Sequence, residues 1–529
     1  MAGKKFVIMF IALVFLLMGC TSQSKEVKNN VSNKSAEAGT PKEGGTLKVA
    51  ITGEPPTLDS HLSSAFLASQ IGWHIYEGLF TLDENYNAIP MLAKDYEYDE
   101  ARKTYIINLR EGVKFHNGKT LSADDVIASL KRWGEKANYG RIMFNNVKDL
   151  RKISDLTIEI ELLEPSPIAP ILLAYPNQQT AIYPKEVIDK ADETGIKEFI
   201  GTGPFKFVEH KPDQYIKLEK FKEYVAREEP SNGMGGKKTA HVDEIMFIPT
   251  PEASVRYDGV QTGQFHWADS VSTDMYESMK TNTQVEPAIV KPYWWPMAVF
   301  NKQKGVFADK KMRQAFALAL DMKQIMKASF TSEEFYRLDP SIMFKEQEKW
   351  WSDAGSAEMY NKSDIKRAKQ LVKEAGYNGE KIRWLTTKEY DYMYNIAVVA
   401  AEQLKQIGLN IELEVVDYAT IVDKRMKPDE YEVFSGATTF TPDPGIWANW
   451  DKKWGGFWVD EEKDKMVNLV NTEMDEVKRK ELYDELQAHF WEEVPLVKFG
   501  DFFILTAKSP SMKGFEPTPF PFFWNTWIE

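Results

Sequence analysis

Hydrophobic and polar positions follow two rhythms along the chain, and the change falls at about Pro292. Before it, short stretches alternate every second residue, as half-buried strands do. Thr46-Leu47-Lys48-Val49-Ala50-Ile51 opens the series. Tyr105, Ile107 and Leu109 continue it against Thr104, Asn108 and Arg110, and Leu156, Ile158, Ile160 and Leu162 alternate with Thr157, Glu159 and Glu161. Between the strands, Phe66, Ile71, Trp73 and Ile75 mark a helix, and Asn117-Gly118 is a tight-turn pair. Ser122 with Asp125 predicts a capping box in acidic form, ahead of the helical face Val126, Ile127, Leu130 and Trp133.

Past Pro292 longer helices alternate with strands. Asp309 can cap a helix carrying Met312, Phe316 and Leu320. Ser363 starts another with Ala368, Leu371 and Val372, closed by Gly376. Ile396, Val399, Leu404 and Ile407 form a third face stopped by Gly408, and Ile411, Leu413 and Val415 follow as a strand. The repeated order of helix, glycine and strand predicts an α/β fold.

The N-terminus departs from both rhythms. Lys4 and Lys5 precede an apolar run from Phe6 to Met18, shorter than the about 20 residues a spanning helix needs and of the length of a secretory signal. Leu17-Met18-Gly19-Cys20 resembles a bacterial lipobox, so residues 1–19 are expected to be removed and Cys20 to carry the lipid. Residues 20–45 are polar and without hydrophobic period, and predict a flexible tether.

Composition narrows the function. Cys20 is the single cysteine, so no internal disulfide can form. A net charge of −13 argues against a nucleic-acid surface, which needs clustered Lys and Arg. The seven histidines, His61, His116 and His266 among them, lack ligand spacing, so neither a metal site nor a cofactor is expected. The stretch Ser231 to Thr239 superficially resembles a phosphate-binding loop, but Ser231 stands where the first glycine would be; a flexible surface loop is expected. No nucleophile elbow or His-Glu-x-x-His motif is present, which leaves a secreted glycosidase as the main enzyme alternative.

Several stretches, in order, resemble the family 5 extracellular solute-binding proteins, receptors of peptide-type ABC importers. They are Gly45-Thr46-Leu47 with Thr57-Leu58-Asp59, Tyr76-Glu77-Gly78-Leu79, the block Leu109 to Gly118 with Phe115-His116-Asn117-Gly118, and Ala123-Asp124-Asp125-Val126. Gly201-Thr202-Gly203-Pro204-Phe205, Arg313-Gln314-Ala315 and Glu374-Ala375-Gly376-Tyr377 complete the set. The resemblance implies a two-lobed periplasmic-binding-protein-like fold with the ligand cleft between lobes. Lobe I would hold residues 46–293, with an extra subdomain at about 77–200, and lobe II residues 294–498; residues 499–529 would return to lobe I. Lys291 to Trp295 and Val494 to Lys498 would be the crossovers.

The same resemblance suggests a site. In peptide-binding members an aspartate before proline in the second lobe pairs with the ligand's α-ammonium, and Asp443-Pro444 occupies that place; the alternative is that Asp443 starts a turn. Phe440, Trp447 and Trp450 lie in the same aromatic-rich stretch and could stack on side chains or on sugar rings. Ser63 and Ser64 fall where the first lobe lines the cleft. The implied function is a monomeric, non-catalytic receptor on the outer face of the cell membrane, or in the periplasm of a cell with an outer membrane. It would pass oligopeptides or dipeptides to an ABC permease. An oligosaccharide, an opine-like conjugate or a metal chelate is the alternative cargo.

Overall fold

The computed structural model describes residues 39–330 and 332–529. The signal-like segment, Cys20 and most of the expected tether lie outside the described residues. The tether ends earlier than Gly45. Glu43 meets Lys220 and His241, each at 2.7 Å, and the Gly44 N–H donates to the His241 carbonyl at 2.8 Å. These residues extend the pairing of the first strand, so their polar groups have partners in the body.

That first strand, Thr46–Ile51, lies deep in a twelve-stranded sheet. It pairs in parallel with Glu244–Pro249 on one side and Trp267–Val271 on the other. Leu47, Val49, Ala50 and Ile51 are fully buried, because both faces of the sheet are covered. The larger core packs on one face. A smaller one, with Ala50, Tyr257, Val260, Phe265 and Leu505, forms on the other.

The strand Glu286–Phe300 joins the two halves of this sheet. Its early residues pair with Asp501–Lys508, and its late residues with Val433–Thr438 and Leu496–Lys498. Beyond Val433–Thr438 the sheet continues through Lys381–Thr386 to Asn410–Val415. This second half carries the predicted helices. Lys310–Ala319 is capped by Asp309, which accepts from the Lys311 N–H at 2.8 Å. Ile365–Glu374 is capped by Asp364, one residue later than the expected Ser363, because the Asp364 carboxylate reaches the Arg367 N–H. Gly376 and Gly408 take the left-handed conformation expected after a helix.

A separate four-stranded antiparallel sheet, ordered Ala93–Asp99, Thr104–Leu109, Thr157–Leu162 and Val147–Ser154, packs against the helix Ala123–Lys136. The Ser122–Asp125 cap is present, with both the Ser122 N–H and its hydroxyl donating to Asp125 Oδ2. The Phe115 to Gly118 block is structural. Phe115 is buried, Gly118 makes the turn, and the His116 ring bridges the Gly201 N–H and the Gly203 carbonyl. A Cβ on Gly201 would sit 2.1 Å from the Ile75 carbonyl oxygen, so only glycine fits. The Ser231 to Thr239 stretch is packed rather than flexible. Asn232 and Gly235 form a two-way bridge, Met234 donates to Leu82, and Lys238 is buried beside Glu77 and over the Trp524 ring.

Two fully buried histidines tie loops to this frame in the neutral form. His61 Nε2 donates to the Ala181 carbonyl. His74 Nδ1 donates to the Gln70 carbonyl while its Nε2 accepts from the Phe523 N–H, fastening the C-terminal segment to the helix Phe66–Ile75. Burial pushes both down from 6.5 to about 3. The unfolded chain therefore binds more protons between these values, and stability present above pH 6.5 is lost as pH falls toward 3. Each histidine should contribute a slope of about 1.4 kcal/mol per pH unit inside that window. Urea unfolding followed from pH 7 to pH 4 should show this steepening, and His74→Gln should flatten it.

Candidate functional site

A cavity of about 260 Å³ opens beside the junction of the two sheet halves. Its walls come from Ala65, Phe66 and Leu67 at the start of a helix, Trp267, Asp269 and Ser270 on the strand Trp267–Val271, Tyr293 and Trp294 on the joining strand, and Thr518, Pro519 and Pro521 near the C-terminus. Phe66, Trp267, Tyr293 and Trp294 make it largely aromatic. Asp269 is the one charged residue among those lining it.

Backbone irregularity sets this geometry. The strand Trp267–Val271 pairs with Asp501–Lys508 but slips register between Ala268 and Val271, and Ser270 takes a φ of 41°. A bulge of this kind re-aims a side chain, and a positive φ at a non-glycine residue persists only where neighbours impose it. Arg256 imposes it. Its guanidinium donates to the carbonyls of Asp269 and Ser270, each at 2.6 Å, and to those of Thr250 and Pro251. The Asp269 carboxylate accepts from the Ser270 hydroxyl at 3.0 Å and is otherwise enclosed. Burial raises its pKa, against the opposing pull of Ser270 and of the Arg256 charge.

The aromatic wall continues into the second half of the sheet. Tyr293 and Trp294 stack at 4.8 Å, Phe502 lies edge-on to both, and Tyr392 and Phe330 pack against Phe502. The Tyr392 hydroxyl is buried with no hydrogen-bond partner among the described residues. Burial, with the Asp269 charge next, raises the Tyr293 pKa, so the phenol stays protonated and can donate.

The residues singled out from sequence are dispersed. Ser63 and Ser64 come nearest the cavity, immediately before its Ala65 to Leu67 wall; Ser63 is buried and accepts from the Ala65 N–H, while Ser64 is exposed. Asp443 does not present a free carboxylate. Arg479 holds it from both sides at 2.8 and 2.7 Å, and its Oδ1 also caps the turn through the Gly445 N–H. Its neutralising cation comes from the chain itself, which corrects the expectation that it awaits a ligand ammonium. Trp447 and Trp450 are buried core residues. They pack edge-to-face on each other at 4.7 Å, and their N–H groups reach Thr438 Oγ1 and the Pro444 carbonyl. Phe440 joins segments distant in sequence, lying against Tyr86 and Phe520 while its carbonyl accepts from the Tyr175 hydroxyl at 3.0 Å.

Asp443 and Arg479 line a second, tyrosine-rich groove of about 540 Å³ with Tyr86, Tyr96, Tyr98, Tyr105 and Trp350. Among the described residues, no group of three or more His, Cys, Asp or Glu is placed to hold a metal ion, and no helix is long and apolar enough to cross a membrane. Asp269 and Arg256 were not singled out from sequence. The available signal was a carboxylate in one short strand with Trp267, Ala268 and Val271, close after Phe265.

Breaking the buried Asp443–Arg479 pair should therefore register as lost stability. Arg479→Met, which strands the carboxylate, is expected to cost about 3–5 kcal/mol in urea unfolding. Replacing both partners by apolar residues should recover part of that loss.

Comparison with known proteins accounts for the arrangement. Residues 87–456 match the family described as bacterial extracellular solute-binding proteins, family 5 Middle. A relative from Sinorhizobium fredii, described as a probable peptide ABC transporter periplasmic-binding protein, is 28% identical over 472 residues, covering 85% of this chain and 87% of its own. The fold is shared with the ABC transporter substrate-binding protein CtaP of Listeria monocytogenes, at a TM-score of 0.79 and 22% identity, over 92% of this chain and 100% of that one. It is shared also with the oligopeptide-binding protein AppA of Bacillus subtilis, solved with a nonapeptide, at a TM-score of 0.73 and 23% identity, over 93% of this chain and 100% of that one. The architecture is thus the two-lobed one of periplasmic binding proteins, and the chain belongs to the bacterial extracellular solute-binding proteins, family 5.

Proposed function

We propose that this chain is the receptor of an ABC importer, capturing a peptide outside the cytoplasm and handing it to a membrane permease. The observation that carries the reading is the aromatic cavity with one buried carboxylate beside the strand that both sheet halves share. Such a cavity orients a ligand by few polar groups and holds it by apolar area. The relative described as peptide-binding supports peptide over the other cargoes.

Lobe I is residues 46–293 with 499–529, lobe II residues 294–498, and the subdomain is about 77–200. On these boundaries Tyr293 and Trp294 flank the crossover, and ligand bound against them favours the closed state by touching both lobes. On the same boundaries Phe440 of lobe II already lies against Tyr86 and Phe520 of lobe I, a contact of the kind a closed state keeps. The protein acts as a monomer. A diacylglyceryl group on Cys20 and the polar run after it would hold the receptor near its permease at high effective concentration.

Denaturing the purified protein and identifying released small molecules by mass spectrometry tests the cargo directly. Peptides are expected. Recovery of only oligosaccharides or metal chelates would overturn the peptide reading and leave the receptor reading intact. Trp294→Ala should weaken peptide binding by about tenfold or more, the scale of one lost aromatic contact, as measured by calorimetry.

A further inference from the structure

Among the described residues, buried carboxylates follow a rule with one exception. Asp59, Glu77, Asp125, Glu159, Asp339, Asp443 and Asp501 are buried, and each has a lysine or arginine nitrogen within 3.8 Å. Asp269 is buried as well and has none among the described residues. An unpaired buried charge is costly, and proteins either pair it or neutralise it.

The nearest cation is spent elsewhere. Arg256 directs its guanidinium to four backbone carbonyls, so it builds the bulge that aims Asp269 without donating to its carboxylate. Around the carboxylate, the cavity offers the rings of Phe66, Trp267, Tyr293 and Trp294. Aromatic faces attract a cation and reject an anion. A carboxylate held by one hydroxyl and, among the described residues, by no cation, in a cavity lined by aromatic rings and beside a strained bulge, is a receptor for positive charge.

We propose that Asp269 is the specificity-determining residue of the cavity, and that the ligand presents a protonated amine or a guanidinium group to its carboxylate. The proposal rests on the receptor reading above and names the chemistry that receptor selects. It transfers to Asp269 the cation-recognition role that Asp443, already paired with Arg479, is not free to play. The cation could be a peptide's α-ammonium or a basic side chain.

Because burial raises the Asp269 pKa, the empty protein loses stability as pH rises above the ordinary value of 3.8 and the charge forms unpaired. The charged and titratable groups facing it are Arg256 and Tyr293. Asp269→Asn should thus raise the melting temperature of the unliganded protein at pH 8, by a margin that closes toward pH 5. A merely structural aspartate would give a lower melting temperature instead.

The binding test uses a tryptic digest of casein, offered before and after acetylation, with retained molecules identified by mass spectrometry. Acetylation removes every amine charge and leaves the guanidinium of arginine-ended peptides. Wild type should retain peptides from the untreated digest, and Asp269→Asn or Asp269→Ser should retain them about a hundredfold less well, as for one truncated partner of a buried charge pair. If arginine-ended peptides survive acetylation, the side chain is the group read; if none survives, it is the α-ammonium where arginine-ended peptides were retained before treatment, and the lysine ammonium where only lysine-ended ones were. Equal retention of acetylated lysine-ended peptides, or no change in either variant, would overturn the proposal. If wild type retains nothing from either digest, the peptide reading fails. The cation proposal is then decided by arginine methyl ester and cadaverine, which should raise the melting temperature of wild type and not of Asp269→Asn; no shift in wild type would overturn it as well.

Discussion

Buried backbone N–H and C=O groups need partners, and the fifteen-residue strand Glu286–Phe300, exposed at Lys291 and continuously buried only from Trp295 to Phe300, finds them by changing partners along its length. It leaves Asp501–Lys508 and takes up Val433–Thr438 and Leu496–Lys498, and the register breaks between Val290 and Trp294 at the change. On the far side of Asp501–Lys508, the strand Trp267–Val271 breaks its own register between Ala268 and Val271. Two interruptions thus flank one central strand. Regular ladders would present close-packed rows of side chains there. The interruptions instead turn Asp269, Tyr293 and Trp294 toward a common space, with Ile504 and Thr506 between them. The cavity follows from how two halves of a sheet are joined.

Charge plays the opposite part elsewhere, closing space rather than opening it. Arg132 grips Asp59 through two bonds and so fixes the Thr57-Leu58-Asp59 loop to the helix Ala123–Lys136. Lys498 and Arg337 meet at Asp501, where the chain returns from one half of the sheet to the other. Such pairs add little net stability against apolar replacements of the same shape, but each is severe to break singly. They specify where loops sit. Motif residues in the first part of the chain serve this purpose too: Asp59, His116, Gly201 and Gly203 join segments that are far apart in sequence.

The fold was legible because its signals are local. Alternation in Thr46–Ile51 and Thr157–Leu162, the cap at Asp309 and the left-handed glycines Gly376 and Gly408 each depend on a few neighbouring residues. Family-level resemblance supplied the two-lobed architecture, which no periodicity could. The site was less legible. Trp447 and Trp450 look the same in sequence whether they face a ligand or each other, and the structure packs them together in a core. Ser63 and Ser64 were close, missing the cavity wall by one or two residues. Nothing local marks Ser270 as the residue that takes a positive φ, since the strain is imposed by Arg256 from a neighbouring helix.

The two aspartates make the physical reason concrete. Asp443 precedes a proline in an aromatic-rich stretch and looks available, yet Arg479, thirty-six residues later, reaches both of its oxygens. Asp269 sits in a strand and looks structural, yet Arg256, thirteen residues earlier, donates to its carbonyl and not to its carboxylate. A charge-assisted pair depends on which atoms approach within about 3 Å, and that is decided by tertiary packing. An arginine's partner cannot be read from its distance along the chain. Both carboxylates line a cavity, Asp443 the tyrosine-rich groove and Asp269 the aromatic one, and the same interaction is allotted differently: Arg479 saturates the first, while among the described residues no cation reaches the second.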